Sequence, residues 1–161
     1  MKFFLFFFLL FNTSIFADCK KVDKSRFTIM ENKIFDKKTK LIWMRCSIGS
    51  KWKKSIGCVH APNTISFLEA KALEKKLKNG WRIPTLKELR TIFVSNCKSS
   101  AINTTLFPDL KHMANFAPYW TSTPVKELPR LIYYIDFINK TIDAHSKGFT
   151  MFVRLVKNKN E

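Results

Sequence analysis

The central stretch GWRIPTLKEL, residues 80–89, contains the start signal of a helix at Thr85. It begins with Gly80, a residue type that commonly ends the preceding helix. Thr85 and Glu88 have capping-box spacing: the threonine oxygen accepts a backbone N–H, and the glutamate reaches back to the cap. The predicted buried face of this helix consists of Leu89, Ile92 and Phe93. The proline before the cap separates the helix from preceding structure, because the residue before proline avoids helical geometry.

An earlier helix is predicted from a second capping box formed by Ser66 and Glu69. Gly80 is the expected end of this helix, because glycine tolerates the left-handed conformation that terminates helices. Its expected buried stripe consists of Ala70, Leu73 and Leu77.

Strands are predicted on both sides of the two helices. Before the helices lie a strand at 26–30, a hairpin at 33–45 with its turn at 36–39, and a loop at 47–62. After them lie a strand at 119–122, a hairpin of 131–138 with 141–144, and a strand at 149–156. Phe149, Met151, Val153 and Leu155 are expected to alternate on one face of that last strand. The order of elements indicates an α+β fold with a mainly antiparallel sheet and two helices.

The N-terminus has the pattern of an export signal. Lys2 precedes an apolar run at 3–11, and Ala17 offers a small residue for cleavage. The run is shorter than the roughly 20 residues that span a bilayer, although an uncleaved anchor remains the alternative. We predict a signal peptide at 1–17, an N-terminal segment at 18–26, a single domain at 27–157 and a basic tail at 158–161. The expected location is therefore periplasmic or secreted.

The four cysteines agree with export, since an even cysteine count in an exported chain favours disulfides. Four cysteines allow three pairings. We predict Cys46–Cys58, because it closes a short loop, and Cys19–Cys97 as the remaining pair. The alternative is a zinc site, but the cysteine spacings are not those of a zinc knuckle and only His60 lies nearby.

The chain is strongly basic, with a formal charge of +17. Of its 29 lysines and arginines only Lys2 precedes residue 18, and all 12 acidic residues follow, so the mature charge is +16. Such a field attracts polyanions, which makes an acidic polysaccharide or an envelope or host surface component the expected partner. Candidate ligand-binding residues are Lys51, Trp52, Lys53 and Lys54 in the loop, and Lys71, Lys75 and Lys78 on one face of the first helix.

Two alternatives to a glycan surface stay open. Most of the positive residues are lysine, which suits diffuse attraction, so the charge is equally consistent with a solvated coat arising from genome composition. An envelope protein is the other possible partner. Nucleic acid is not expected as the partner, because export separates the chain from intracellular nucleic acid.

Six phrases of the sequence carry a family resemblance. They are DKKTKLIW at 36–43, MRC at 44–46, GWRIPT at 80–85 with EL at 88–89, FP at 107–108, YWTS at 119–122 and VRLV at 153–156. In this order they resemble the C-terminal domain of the Legionella collagen-like adhesin, a bacterial family of largely unknown function. The phrase at 81–85 also resembles the formylglycine-generating enzymes. Both resemblances imply a C-type lectin-like fold.

The same phrases have a structural interpretation. Trp43, Trp81 and Trp120 are expected as core anchors. Arg82 is expected to pair with Glu88 across the helix start. Arg154, like Arg45, is expected to lay its aliphatic stem over the core with its charged end near water.

No catalytic arrangement is apparent in the sequence. His60, His112 and His145 lie in unrelated contexts without a motif-spaced nucleophile or carboxylate. The formylglycine-generating enzymes use a cysteine pair near the end of the domain, whereas the last cysteine here is Cys97. We therefore predict a binding module for adhesion or envelope attachment, with no catalytic activity, cofactor or metal. A structural or accessory component of an envelope complex is the alternative.

Overall fold

The computed structural model describes residues 21–95, 97, 100–113 and 115–160. They form an α+β fold of antiparallel sheets and two short α-helices, which confirms the predicted class. The predicted signal peptide and Cys19 lie outside the described residues. The strands are β1 Phe27–Met30, β2 Lys33–Asp36, β3 Leu41–Met44, β4 Lys51–Lys53, β5 Gly57–Val59, β6 Ile65–Ser66, β7 Pro118–Pro124, β8 Leu131–Asp136, β9 Thr141–Ser146, β10 Thr150–Met151 and β11 Val156–Asn158. The helices are α1 Phe67–Glu74 and α2 Leu86–Arg90, and a 3₁₀ helix covers Pro108–His112.

The largest sheet has four strands in the order β1-β2-β3-β11. Its centre is the predicted hairpin, in which Asp36 pairs with Leu41 at the turn end of the ladder. The Asp36 carboxylate accepts the Lys38 N–H, and Lys40 adopts a positive φ of 61°. The local turn chemistry therefore agrees with the sequence expectation.

A second sheet has three strands in the order β7-β8-β9. The β8–β9 hairpin pairs Asp136 with Thr141 next to the predicted turn, and its second strand continues two residues beyond the expected end, to Ser146. Strand β7 also extends beyond the predicted four residues.

Both predicted capping boxes are present. Ser66 and Thr85 each accept the backbone N–H of the glutamate three residues on, and each glutamate accepts the cap N–H in return. The predicted end of α1 is wrong, because the helix stops at Glu74 rather than near Gly80. After Glu74 the backbone hydrogen bonds join residues three apart, as in a 3₁₀ turn: the Lys76 N–H donates to the Leu73 carbonyl, and the Leu77 N–H donates to the Glu74 carbonyl. Leu73 and Leu77 are only partly buried.

The segment predicted as a plain loop at 47–62 contains a two-stranded ribbon, β4–β5. Trp52 pairs with Cys58 in its register, and the Cys46–Cys58 disulfide ties the ribbon to the end of β3. This disulfide was predicted correctly. The second predicted pairing involves Cys19 and stays a prediction.

The predicted continuous strand at 149–156 is wrong. Only Thr150–Met151 and Val156–Asn158 are strands. The expected shared face holds for Met151, Val153 and Leu155, which all lie in one hydrophobic cluster, but not for Phe149, which is exposed. The opposite face, with Phe152 and Val156, is buried in another cluster, so the segment is covered on both sides rather than half-buried.

The tryptophans divide between these two clusters. Trp43 lies in the first and Trp120 in the second, both fully buried, as predicted. Trp81 packs against the second cluster but is only partly buried, so it lies at the edge of the core rather than inside it. The Lys157 ammonium lies over its ring, 5.6 Å from the centroid.

Candidate functional site

The β4–β5 ribbon, residues 51–59, presents the first group of predicted ligand-binding residues. Strand alternation places Lys51 and Lys53 outward, both exposed, with Trp52 between them on the inner side. Ser55 and Gly57 have φ values of 66° and 95°, which reverse the chain within a few residues. A short, disulfide-tied hairpin therefore carries the exposed lysines.

Trp52 is partly buried, and one face of its ring is covered by an arginine. The Arg45 guanidinium lies over its ring, 4.4 Å from the centroid. Arg45 in turn donates to the carbonyls of Glu31, Thr105 and Leu106 at 2.8 to 3.0 Å. Burial lowers the pKa of Arg45, but three carbonyl acceptors hold its charged group in place. The stacked Arg45 and Trp52 side chains thus connect the ribbon to the backbone of Glu31, Thr105 and Leu106.

Lys54 follows Lys53 at the ribbon turn and extends into solvent. Its ammonium is 4.0 Å from the Glu31 carboxylate, with both side chains mostly exposed. An exposed pair at this distance contributes little and leaves the ammonium available. Lys51, Lys53 and Lys54 therefore form a positive surface, here called the ribbon patch.

The second group, Lys71, Lys75 and Lys78, does not form the predicted helix face. Because α1 ends at Glu74, Lys75 is its C-cap and Lys78 lies beyond the helix. Lys71 forms an ion pair with Glu74, whose other oxygen accepts the Ile83 N–H at 2.8 Å. The group is thus neither aligned on one helix nor uniformly unpaired.

A basic cleft that the sequence did not single out lies at the end of the large sheet. It has a volume of about 370 Å³ and is lined by Thr39, Lys40, Asn158, Lys159 and Asn160. The Lys159 N–H donates to the Lys40 carbonyl, and the Lys159 ammonium lies over the Phe35 ring at 4.9 Å. Residues 40 and 159 are far apart in sequence, so only the β3–β11 pairing brings these two lysines together.

Arg154 was expected to keep its charged end near water, and this is wrong. Its side chain is 0% exposed and pairs with Asp109, also 0% exposed, at 2.7 Å. The other terminal nitrogen donates to the carbonyls of Met44 and Arg45 at 3.0 and 2.7 Å. Burial opposes the charge of Arg154, but the adjacent Asp109 carboxylate raises the pKa of the guanidinium above its ordinary value.

The Asp109 carboxylate also organises the chain beside the disulfide. Its second oxygen accepts the Ser47 N–H at 2.6 Å, while the Ser47 hydroxyl is 2.8 Å from the Tyr119 hydroxyl. Burial raises the pKa of Tyr119, and Asp109 raises it further, so the phenol stays protonated. All four residues of this network are at most 2% exposed, so we assign it a structural role.

Arg82 and Glu88 pair as predicted. The two guanidinium nitrogens donate to the two carboxylate oxygens at 2.8 and 2.7 Å. Burial would raise the pKa of Glu88, but the bonds from Arg82 and the Thr85 cap lower it below its ordinary value. This pair orients the start of α2 and shows no ligand-binding geometry.

One histidine, His145, contacts an aromatic side chain. His145 stacks on Phe149 with ring centroids 4.0 Å apart. Within the part of the chain that the structure describes, no three His, Cys, Asp or Glu side chains are grouped to hold a metal ion. In the same residues, no helix is both long and apolar enough to cross a membrane.

The fold and these sites define a small α+β domain with a disulfide-tied ribbon, a buried arginine–aspartate pair and a strongly basic surface. The chain belongs to the Lcl C-terminal domain family, which it matches over residues 32–157. No curated protein and no solved structure matches the chain.

Proposed function

We propose that this chain is an exported, non-catalytic binding module with a C-type lectin-like fold, which attaches to acidic polysaccharides of an envelope or host surface. The observation that carries the proposal is the ribbon patch. Its three lysines are exposed on a short hairpin, and the Glu31 carboxylate is 4.0 Å from the Lys54 ammonium.

The rigidity of the ribbon favours binding. The Cys46–Cys58 disulfide and the stacked Arg45–Trp52 pair fix the backbone that carries the lysines. A preorganised positive surface loses less conformational entropy when it binds a polyanion than lysines on a mobile loop would lose. The net charge adds long-range attraction, which salt weakens.

The basic cleft at Lys40 and Lys159 supports the same ligand class. Two lysines, two asparagines and a threonine line a concave volume of about 370 Å³. Lysine ammoniums and amide N–H groups are suitable donors for a sulfate or carboxylate group of a polysaccharide.

The test is binding of the oxidised mature chain to a panel of acidic and neutral glycans at about 0.15 M and about 0.5 M salt. We expect saturable binding to an acidic glycan that weakens with salt yet keeps its preference. A Lys51→Glu/Lys53→Glu/Lys54→Glu variant should lose at least about tenfold in affinity, since three favourable contacts become repulsive. Mass spectrometry of the exported chain should give an N-terminus near residue 18.

A matched control exists in the same chain. The Lys71→Glu/Lys75→Glu/Lys78→Glu variant changes the net charge by the same amount. These three lysines do not lie together on one face of α1, so they form no patch comparable to the ribbon patch. We expect a clearly smaller loss from this variant. Equal losses from both variants would show that binding follows net charge rather than the ribbon patch.

A second candidate is an accessory role in an envelope protein complex. Strand β1 is an outer strand of the four-stranded sheet, and its Ile29 and Met30 side chains are exposed. An unpaired strand edge with apolar side chains can accept a strand from a partner protein. Crosslinking from a cysteine placed at Ile29 should then capture a single stoichiometric envelope protein, whereas glycan binding alone would capture none.

A further inference from the structure

The turn of the β4–β5 ribbon carries an exposed apolar side chain. Lys53 pairs with Gly57 at the end of the ladder, so residues 54–56 form the turn, and the Ile56 N–H donates to the Lys53 carbonyl at 3.1 Å. Ile56 is 55% exposed. Single exposed apolar residues are ordinary, so the surroundings of Ile56 decide whether it has a role.

Those surroundings are positive on both sides of the tip. Lys51, Lys53 and Lys54 are exposed, and the sequence contains no Asp or Glu from residue 37 to residue 68. Lysine stems can lie along an apolar surface while their ammonium groups reach out to an anionic one. The tip therefore combines one apolar side chain with the three lysines of the ribbon patch.

The ribbon holds Ile56 away from the hydrophobic clusters. The Cys46–Cys58 disulfide and the Arg45–Trp52 stack fix the base of the ribbon, so its tip keeps this side chain in solvent. An apolar group beside lysines is the combination with which peripheral proteins enter the boundary between headgroups and acyl chains. Transfer of the isoleucine from water to that boundary is favourable because it removes apolar surface from water.

We propose that the tip of the ribbon docks on an anionic lipid bilayer, with Ile56 entering the interface and the ribbon patch contacting lipid phosphates. Each lysine near an anionic membrane surface adds attraction, and the positive net charge of the chain acts in the same direction. A soluble polysaccharide would use the same lysines but would leave Ile56 in water. The inference therefore goes beyond the function proposed above.

The test is co-sedimentation of the oxidised mature chain with phosphatidylcholine vesicles that contain either no anionic lipid or about 30% phosphatidylglycerol. We expect binding to the anionic vesicles, part of which persists at about 0.5 M salt, because the apolar contact of Ile56 is not screened. An Ile56→Trp variant should show a blue shift of its added tryptophan emission with anionic vesicles, since the indole leaves water.

A charge-neutral substitution isolates the apolar contact. Ile56→Ser should weaken binding to anionic vesicles by about fivefold or more, because apolar burial is lost while every charge stays. Ile142→Ser, at a position in β9 that is 37% exposed and lies next to Asp143, is the matched control and should not change vesicle binding.

The same variant separates this inference from the glycan proposal. Ile56→Ser should bind a soluble acidic glycan as tightly as the wild type, whereas replacement of the three ribbon lysines by glutamate should weaken binding to glycan and vesicles alike. Equal vesicle affinity of Ile56→Ser and wild type, vesicle binding that disappears at the higher salt concentration, or no blue shift from Ile56→Trp would each overturn the proposal.

Discussion

Two arginine–carboxylate pairs in this domain have the same closest distance and different surroundings. Arg154–Asp109 and Arg82–Glu88 both meet at 2.7 Å. The first pair is completely buried, whereas the side chains of the second are 29% and 20% exposed. The distance alone therefore says little about what each pair contributes, and burial decides what is lost when a partner is removed.

The two pairs differ in how much water can reach each charge. Water and counterions still reach the Arg82–Glu88 pair, so either charge can be solvated when its partner is missing. Arg154 has only protein groups around it, and the loss of Asp109 would leave a buried cation without countercharge. The predictions below use this contrast, from the largest expected effect to the smallest.

The largest effect is expected from Asp109→Ala. It leaves the Arg154 guanidinium and the Ser47 N–H without their carboxylate acceptor. The free energy of unfolding should fall by about 3–5 kcal/mol, measured by urea denaturation of the oxidised chain.

A double replacement tests the cause. Asp109→Leu with Arg154→Met removes both charges, so it should recover part of the loss, although the carbonyls of Met44 and Arg45 lose a donor. If the double variant is less stable than Asp109→Ala, the unpaired charge is not the dominant cost.

The next effect concerns the disulfide beside this network. Cys46→Ser with Cys58→Ser opens a loop with a sequence separation of 12 and should cost about 2–3 kcal/mol. Because Ser47 bonds to Asp109, the loss should be less than additive with Asp109→Ala in a double-mutant cycle. Strict additivity would show that the disulfide and the buried pair are energetically independent.

Glu88→Gln should have a smaller effect, about 1 kcal/mol after allowance for partial exposure, since it weakens the cap and the Arg82 pair. The pKa of Glu88 is lower in the folded state than in the unfolded state. The ionised carboxylate therefore stabilises the fold fully above the unfolded pKa of about 4.3, and this contribution is lost as the pH falls through the lower folded-state pKa. The difference between wild type and variant should therefore shrink below about pH 4 in urea denaturation. A constant difference across that range would contradict the role assigned to the charge.

The smallest effect is expected from Glu31→Gln. The Glu31 carboxylate is 4.0 Å from Lys54 with both side chains exposed, so stability should not change measurably. Affinity for an acidic glycan should rise slightly, because a negative charge beside the ribbon patch is removed. A clear loss of stability would mean that this surface pair is stronger than its exposure indicates.

The predictable parts of the fold are those with complete local signals. The capping boxes at Ser66 and Thr85 and the turn after Asp36 need only neighbours within a few residues, and all were predicted correctly. The end of α1 was not predicted, because the switch to tighter turns after Glu74 accompanies a hydrogen bond from the Ile83 N–H to the Glu74 carboxylate.

The candidate sites divide in a similar way. Lys51, Lys53 and Lys54 are adjacent in sequence, so their cluster was visible before the structure, although the ribbon that carries them was not. The basic cleft joins Lys40 to Lys159, which are far apart in sequence, so it gives no local signal.

The sequence by itself determined the α+β class, the hairpins at 33–45 and 131–144, the helix starts, the Cys46–Cys58 pair and the basic character, because each depends on local geometry or composition. Only the tertiary structure decided that residues 151–156 are covered on both faces, that Arg154 is buried against Asp109, and which charges meet in the basic cleft. Arg154 and Asp109 are 45 residues apart in sequence, and no local pattern encodes that they come together.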